Sequence, residues 1–103
     1  KKKVFLEAGE MALAKAALVG NLEEVRRLHA AGTNIDEKGS DGDTPLFNAS
    51  YKGHLPVAQF LVEKGADKNF KNMNGLTPLY VASDNGHLPV AQLLVEAGAD
   101  MDA

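Results

Sequence analysis

The side chains that could act on a substrate are three histidines, two serines and one acidic run. His29, His54 and His87 could in principle move a proton or hold a metal. His54 and His87 lie 33 residues apart, at matching places in two similar segments. Each ligand of a zinc ion must lie about 2 Å from it, whereas packed helices stand about 8–10 Å apart. Equivalent side chains of neighbouring segments therefore do not converge on one ion. A His that bonds a turn between helices is the expected role, and His29 is expected on the surface of a helix. Ser50 and Ser83 form a second matched pair, with no His and acid placed to make a nucleophilic triad. "DEKGSDGD", from Asp36 to Asp43, has the acids of a calcium loop but not its order. Lys38 takes a ligand place and Gly is absent from the sixth, so a solvated turn is expected. No Gly-rich phosphate cradle follows a strand. Neither a cofactor nor a metal is expected, and the chain does not read as an enzyme.

Composition narrows the class further. The 103 residues suggest one domain, 45% of them apolar and 24% charged, which suits a globular chain. The absence of Cys excludes disulfides and thiol chemistry, and fits an intracellular setting, cytoplasmic or nuclear. Net charge is −3, and Lys1, Lys2 and Lys3 supply three of the eleven basic residues. The remaining body is acidic, so nucleic acid is not an expected partner. No apolar run approaches the roughly 20 residues that span a membrane, and Val4-Phe5-Leu6 is too short for a signal peptide. A first residue other than Met suggests a processed product or a part of something longer.

What must position these side chains is a repeat of 33 residues. Thr44-Pro45-Leu46 returns as Thr77-Pro78-Leu79, and Gly53-His54-Leu55-Pro56-Val57-Ala58-Gln59 returns as Gly86-His87-Leu88-Pro89-Val90-Ala91-Gln92. Gly65-Ala66-Asp67 returns as Gly98-Ala99-Asp100. Aligning Gly42–Asn69 with Gly75–Asp102 gives 19 identities in 28 positions. A more divergent copy lies upstream: Leu13, Ala16, Ala17, Gly20, Leu22, Leu28 and Gly32 occupy the matching places, with Met11-Ala12-Leu13 replacing the Thr-Pro-Leu start. Each copy predicts two short helices. Thr44 is a good N-cap and Pro45 fits the first helical position. Leu46, Ala49 and Ser50 fall on one narrow face, and Gly53 stops that helix. Leu55, Ala58, Leu61 and Val62 form the stripe of the next, which Gly65 ends. One helix pair cannot bury both its faces, so the copies must stack.

These residues resemble the ankyrin repeat in period, in the Thr-Pro-Leu start, in Gly-His between the helices and in the Gly-Ala-Asp exit. The resemblance covers Gly9 to Ala103. It implies an all-α repeat solenoid of stacked helix-turn-helix units with β-hairpin-like finger turns. The repeats would be about 9–41, 42–74 and 75–103, in a single domain 1–103 with residues 1–8 as an N-terminal extension. It further implies a concave groove, lined by fingers and first helices, that binds a protein or peptide without catalysis. Phe47 and Tyr80 stand where the family usually has His, which places a ring at the foot of each first helix. Ser50 and Ser83 replace a usual Ala, and Lys68 and Met101 replace a branched apolar residue. Asn69 falls where the family's exit-turn Asn can be hydroxylated in animal cells.

Placed on that geometry, the partner-binding candidates in the first finger are Lys38, Ser40, Asp41 and Asp43. In the second finger they are Lys71, Met73, Asn74 and Leu76. The ends of the first helices add Tyr51, Lys52, Asp84 and Asn85, with Leu18 and Val19 as the first copy's equivalents. Tyr51, Met73 and Leu76 would be anchors and the charges a rim. Phe70 is expected to cover the finger's base and Tyr80 to pack or bond at the helix foot. No polar terminal repeat follows the third copy, so Leu88, Leu93, Leu94 and Val95 are expected to leave an uncovered apolar face. Either further repeats or self-association would cover it. The alternative function is an engineered or excised scaffold with no partner of its own, or a regulatory fragment of a larger repeat protein.

Overall fold

The computed structural model describes residues 12–100. The lysine run, the extension 1–8, Met11 and Met101 lie outside the described residues. Residues 12–19 form helix α1. Helix α2 is Leu22–Ala30, α3 Pro45–Lys52, α4 Leu55–Glu63, α5 Pro78–Asp84 and α6 Leu88–Glu96. None of the described residues is in a strand.

Local chemistry starts and stops these helices. The Thr44 hydroxyl accepts from the Phe47 N–H at 3.2 Å and that of Thr77 from the Tyr80 N–H at 3.1 Å, with a proline at the head of each helix. Asn21 caps α2 in the same manner, accepting from the Glu24 N–H. The imidazoles of His54 and His87 occupy the N-cap positions of α4 and α6 without capping them.

The helix pairs stack into two rows. In the inner row α3 packs on α5, and in the outer row α2 packs on α4 and α4 on α6. Small residues set the inner spacing: Ala16, Ala49 and Ala82 are repeat-equivalent and all buried. The outer row interlocks through Leu28, Leu61 and Leu94, also repeat-equivalent and buried. Burying one such leucine contributes about 1.5–3 kcal/mol, and all three belong to one core cluster that runs through the repeats. Leu94 therefore belongs to the core, not to the exposed end face that the sequence suggests. Leu88 is 68% exposed, Val95 is exposed and Leu93 is half-buried, so that face is narrower than expected.

A ladder of side-chain acceptors joins the exits of successive repeats. Asp36 Oδ1 accepts from the Asp67 N–H at 3.0 Å, and Asn69 Oδ1 from the Asp100 N–H at 2.7 Å. Within repeats, Asn34 and Asp67 accept from the N–H groups of Asp36 and Asn69. The fingers are closed turns: the Gly39 N–H donates to Asp43 O at 3.0 Å and the Asn72 N–H to Leu76 O at 2.9 Å. Gly75 closes the second with a φ of 77°, a value that a side chain would strain.

Candidate functional site

The fingers and the inner helices line an open groove made of two adjoining depressions. Its larger part, about 480 Å³, runs from the first finger to the second. It is lined by Leu18, Phe47, Asn48, Tyr51, Lys52 and Val81 from the inner helices, by Asp41 and Asp43 from the first finger, and by Asn72, Asn74 and Leu76 from the second. A smaller depression of about 310 Å³ lies between α1 and the first finger and adds Ala14, Lys15, Gly39 and Ser40. Leu18, Asp41 and Asn48 border both.

Seven of the twelve candidates thus meet along this surface: Ser40, Asp41, Asp43, Tyr51, Lys52, Asn74 and Leu76. Met73 stands at the second fingertip, 88% exposed. Lys38 lies with its ammonium 5.3 Å from the centre of the Phe70 ring and is not among the residues that line either depression. Asn85 Nδ2 donates to Tyr51 O at 3.3 Å and holds the turn after α5 against the end of α3. Lys71 and Asp84 are exposed and do not line the groove.

The polar lining is held by contacts that local sequence patterns do not carry. Asn48 is buried, and its Nδ2 donates to Ala14 O at 3.1 Å in the previous repeat. Asn72 Oδ1 accepts from the N–H groups of Asn74 and Leu76 and shapes the second fingertip. Both residues line the groove and neither is among the sequence candidates. The signal for Asn48 was its position: it occupies a buried inner-helix place where the next copy has Val81. A polar residue at such a place needs a partner.

The groove carries charges of both signs: Asp41 and Asp43 on the first finger, Lys15 in the smaller depression and Lys52 at the end of α3. Desolvation pushes the Asp43 carboxyl above its ordinary pKa; the neighbouring Asp41 adds to this and the Asn72 amide opposes it. Asp43 Oδ1 is buried without a hydrogen-bond partner. Lys52 lies at the far end of α3, its ammonium 5.6 Å from the centre of the Tyr51 ring.

Two ring expectations need correction. Phe47 is 4% exposed and meets Phe70 edge-on, with centroids 6.3 Å apart. Its equivalent Tyr80 is 52% exposed and does not pack at the helix foot as expected. Phe47 is covered by a ring of the following finger, which supplies what the helix foot alone does not. His29 is likewise not a free surface residue. Its ring is half-buried edge-on against Phe60, with centroids 5.6 Å apart, because α4 stacks on α2.

No group of three or more His, Cys, Asp or Glu able to hold a metal occurs among the described residues. No described helix is long and apolar enough to cross a membrane. A family model described as ankyrin repeats, in three copies, matches residues 11–103. No curated protein matches the chain.

Proposed function

Because the chain belongs to the ankyrin-repeat family, a non-enzymatic type of protein-interaction module, we propose that it binds a protein or peptide in the groove between its fingers and inner helices. The observation that carries this is the convergence of Tyr51, Leu76, Asp41, Asp43 and Asn74 on one open groove of about 480 Å³. Tyr51 remains 47% exposed there. An exposed aromatic over a mixed polar and apolar concavity is the composition of an interaction hot spot. The mechanism is surface complementarity on a rigid stack, without catalysis, cofactor or metal. The domain spans 1–103, with repeats at about 9–41, 42–74 and 75–103, and works inside the cell, in cytoplasm or nucleus. Neither nucleic acid nor membrane is its partner.

The test is selection of binders to the purified chain from a random peptide library, followed by the variants Tyr51→Ala, Met73→Ala and Leu76→Ala. Binding that weakens in the variants while their folds stay intact supports the groove. Binding that is unchanged in all three refutes it.

The end of the stack is a second contact surface. Leu88, Val95 and Tyr80 are exposed on the third repeat. Their equivalents Leu55, Val62 and Phe47 are partly or fully buried in the second. That face is shaped for another repeat, supplied by further chain or by self-association. Sedimentation at micromolar concentration tests the second route: association supports it and a monomer opposes it.

A further inference from the structure

Resting on the groove as the binding surface, we propose that its occupant is a short extended peptide segment carrying one lysine or arginine, seated at Asp41 and Asp43, with an apolar side chain against Tyr51 and Leu76. The acids come from the first finger and the apolar pair from α3 and the second finger, yet all four line the same groove.

The charge layout selects the cation. Asp41 and Asp43 stand two residues apart on one turn and repel each other. Neither forms a salt bridge among the described residues, where the one ion pair is Arg27 with Glu24. The Asp43 carboxylate is partly desolvated, which the Asn72 amide offsets only in part, and its Oδ1 is buried without a donor. A neutral N–H would satisfy one lone pair. A cation lowers the energy of both carboxylates at once, and this attraction does not require contact with the buried oxygen. A metal ion is a poor alternative, since two carboxylates with no third ligand make no cage. An anionic ligand would meet both acids.

Lys52 limits the ligand to a single basic residue. Asp43 lies just before α3 and Lys52 is its last residue. Eight helical residues span about 12 Å, so Asp43 and Lys52 place opposite charges at the two ends of α3, and Lys15 adds a second cation in the smaller depression that Asp41 borders. An extended chain advances about 3.3 Å per residue, and about four residues cover that distance. A second cation near the far end would meet Lys52. The occupant is therefore one basic residue with an apolar residue within about four positions, not a polybasic run.

Asp41 and Asp43 have no acidic counterpart in the second finger, where Asn74 and Leu76 occupy the equivalent places. The acid pair thus assigns the basic residue of the peptide to the first finger.

The experiment uses the full chain and a positional-scanning library of short acetylated, amidated peptides. Pools with arginine or lysine near a leucine, isoleucine or phenylalanine are expected to bind best. In the leading peptide, replacing arginine with neutral citrulline should weaken binding about tenfold, the scale of one charged hydrogen bond. Asp43→Asn and Asp41→Asn should each cost a similar factor against the arginine peptide and little against the citrulline one. Equal binding of neutral or acidic pools, still lost in Tyr51→Ala, would overturn the cation pocket and leave the groove standing. Absence of binding by every pool, or binding indifferent to Tyr51→Ala and Leu76→Ala, would overturn both.

Discussion

His54 Nε2 lies 3.0 Å from the carbonyl oxygen of Leu18, in the repeat before its own. A carbonyl only accepts, so Nε2 carries the proton. The ring lies over Gly20, where an added Cβ would sit 2.7 Å from Nδ1. His87 covers Gly53 in the same way, at 2.5 Å. The glycines between the helices are thus seats for the next repeat's histidine as well as turn residues.

This separates two costs of substitution. Gly20, Gly53 and Gly86 share φ values of 75–77°, but nothing lies near a Cβ built on Gly86. Gly86→Ala should cost about 1–2 kcal/mol from backbone strain alone. Gly53→Ala and Gly20→Ala should cost at least about 1 kcal/mol more, because the ring must move. Urea unfolding of the three variants measures the difference. Equal losses would show that the histidine seats contribute nothing.

Repeat-equivalent rings should differ as their surroundings do. Phe47→Ala removes a buried ring packed on Phe70 and should cost about 3–5 kcal/mol. Tyr80→Ala, at a half-exposed site, should cost less than about 1 kcal/mol. Thermal melts of the two variants decide this, and similar losses would contradict the different packing described for the two positions.

The Ser50 hydroxyl is fully buried and has no hydrogen-bond partner. Ala17 fills the equivalent place in the first repeat, also fully buried. Ser50→Ala should therefore stabilise the chain by about 1 kcal/mol. A destabilised variant would mean that the hydroxyl has a partner after all.

Much of this fold is legible in the sequence, for a physical reason. Caps and helix stops act within four residues, so Thr44, Pro45 and Gly53 announce themselves locally. Contacts between repeats reach 31–36 residues along the chain, as in Asn48 to Ala14 and His54 to Leu18. Such contacts leave no local pattern, so the sequence does not announce the Asn48 bond to Ala14 or the His29 contact with Phe60. A stripe does not say which of its residues turns inward, and so the sequence does not separate buried Leu94 from exposed Leu88 and Val95. The groove candidates on the first finger and α3 were legible because the repeat fixes where fingers and inner helices meet. Lys38 turns to the Phe70 ring, a contact 32 residues along the chain that no local pattern announces.

Asp43 should make stability depend on pH in a recognisable direction. Its carboxyl is held above the ordinary carboxylate range in the fold. Between the ordinary value and the raised one, the folded chain binds more protons than the unfolded chain. Its contribution to stability therefore falls as pH rises through that window. Asp43→Asn should be at least as stable as the parent at neutral pH, with the difference vanishing below the ordinary carboxylate range. Urea midpoints at neutral and acid pH test this, and a variant less stable at neutral pH would contradict it. An intact Asp43→Asn fold also means that lost peptide binding cannot be blamed on unfolding.

The central claim is that ligands lie between the fingers and the inner helices. The most direct measurement is a titration of the isotopically labelled chain with the leading arginine-containing peptide, followed amide by amide in NMR spectra. The shifts are expected at residues 39–43, 48–52 and 72–76 and at Val81. Shifts concentrated instead on the outer helices α2 and α4, around Arg26 and Phe60, would contradict the account.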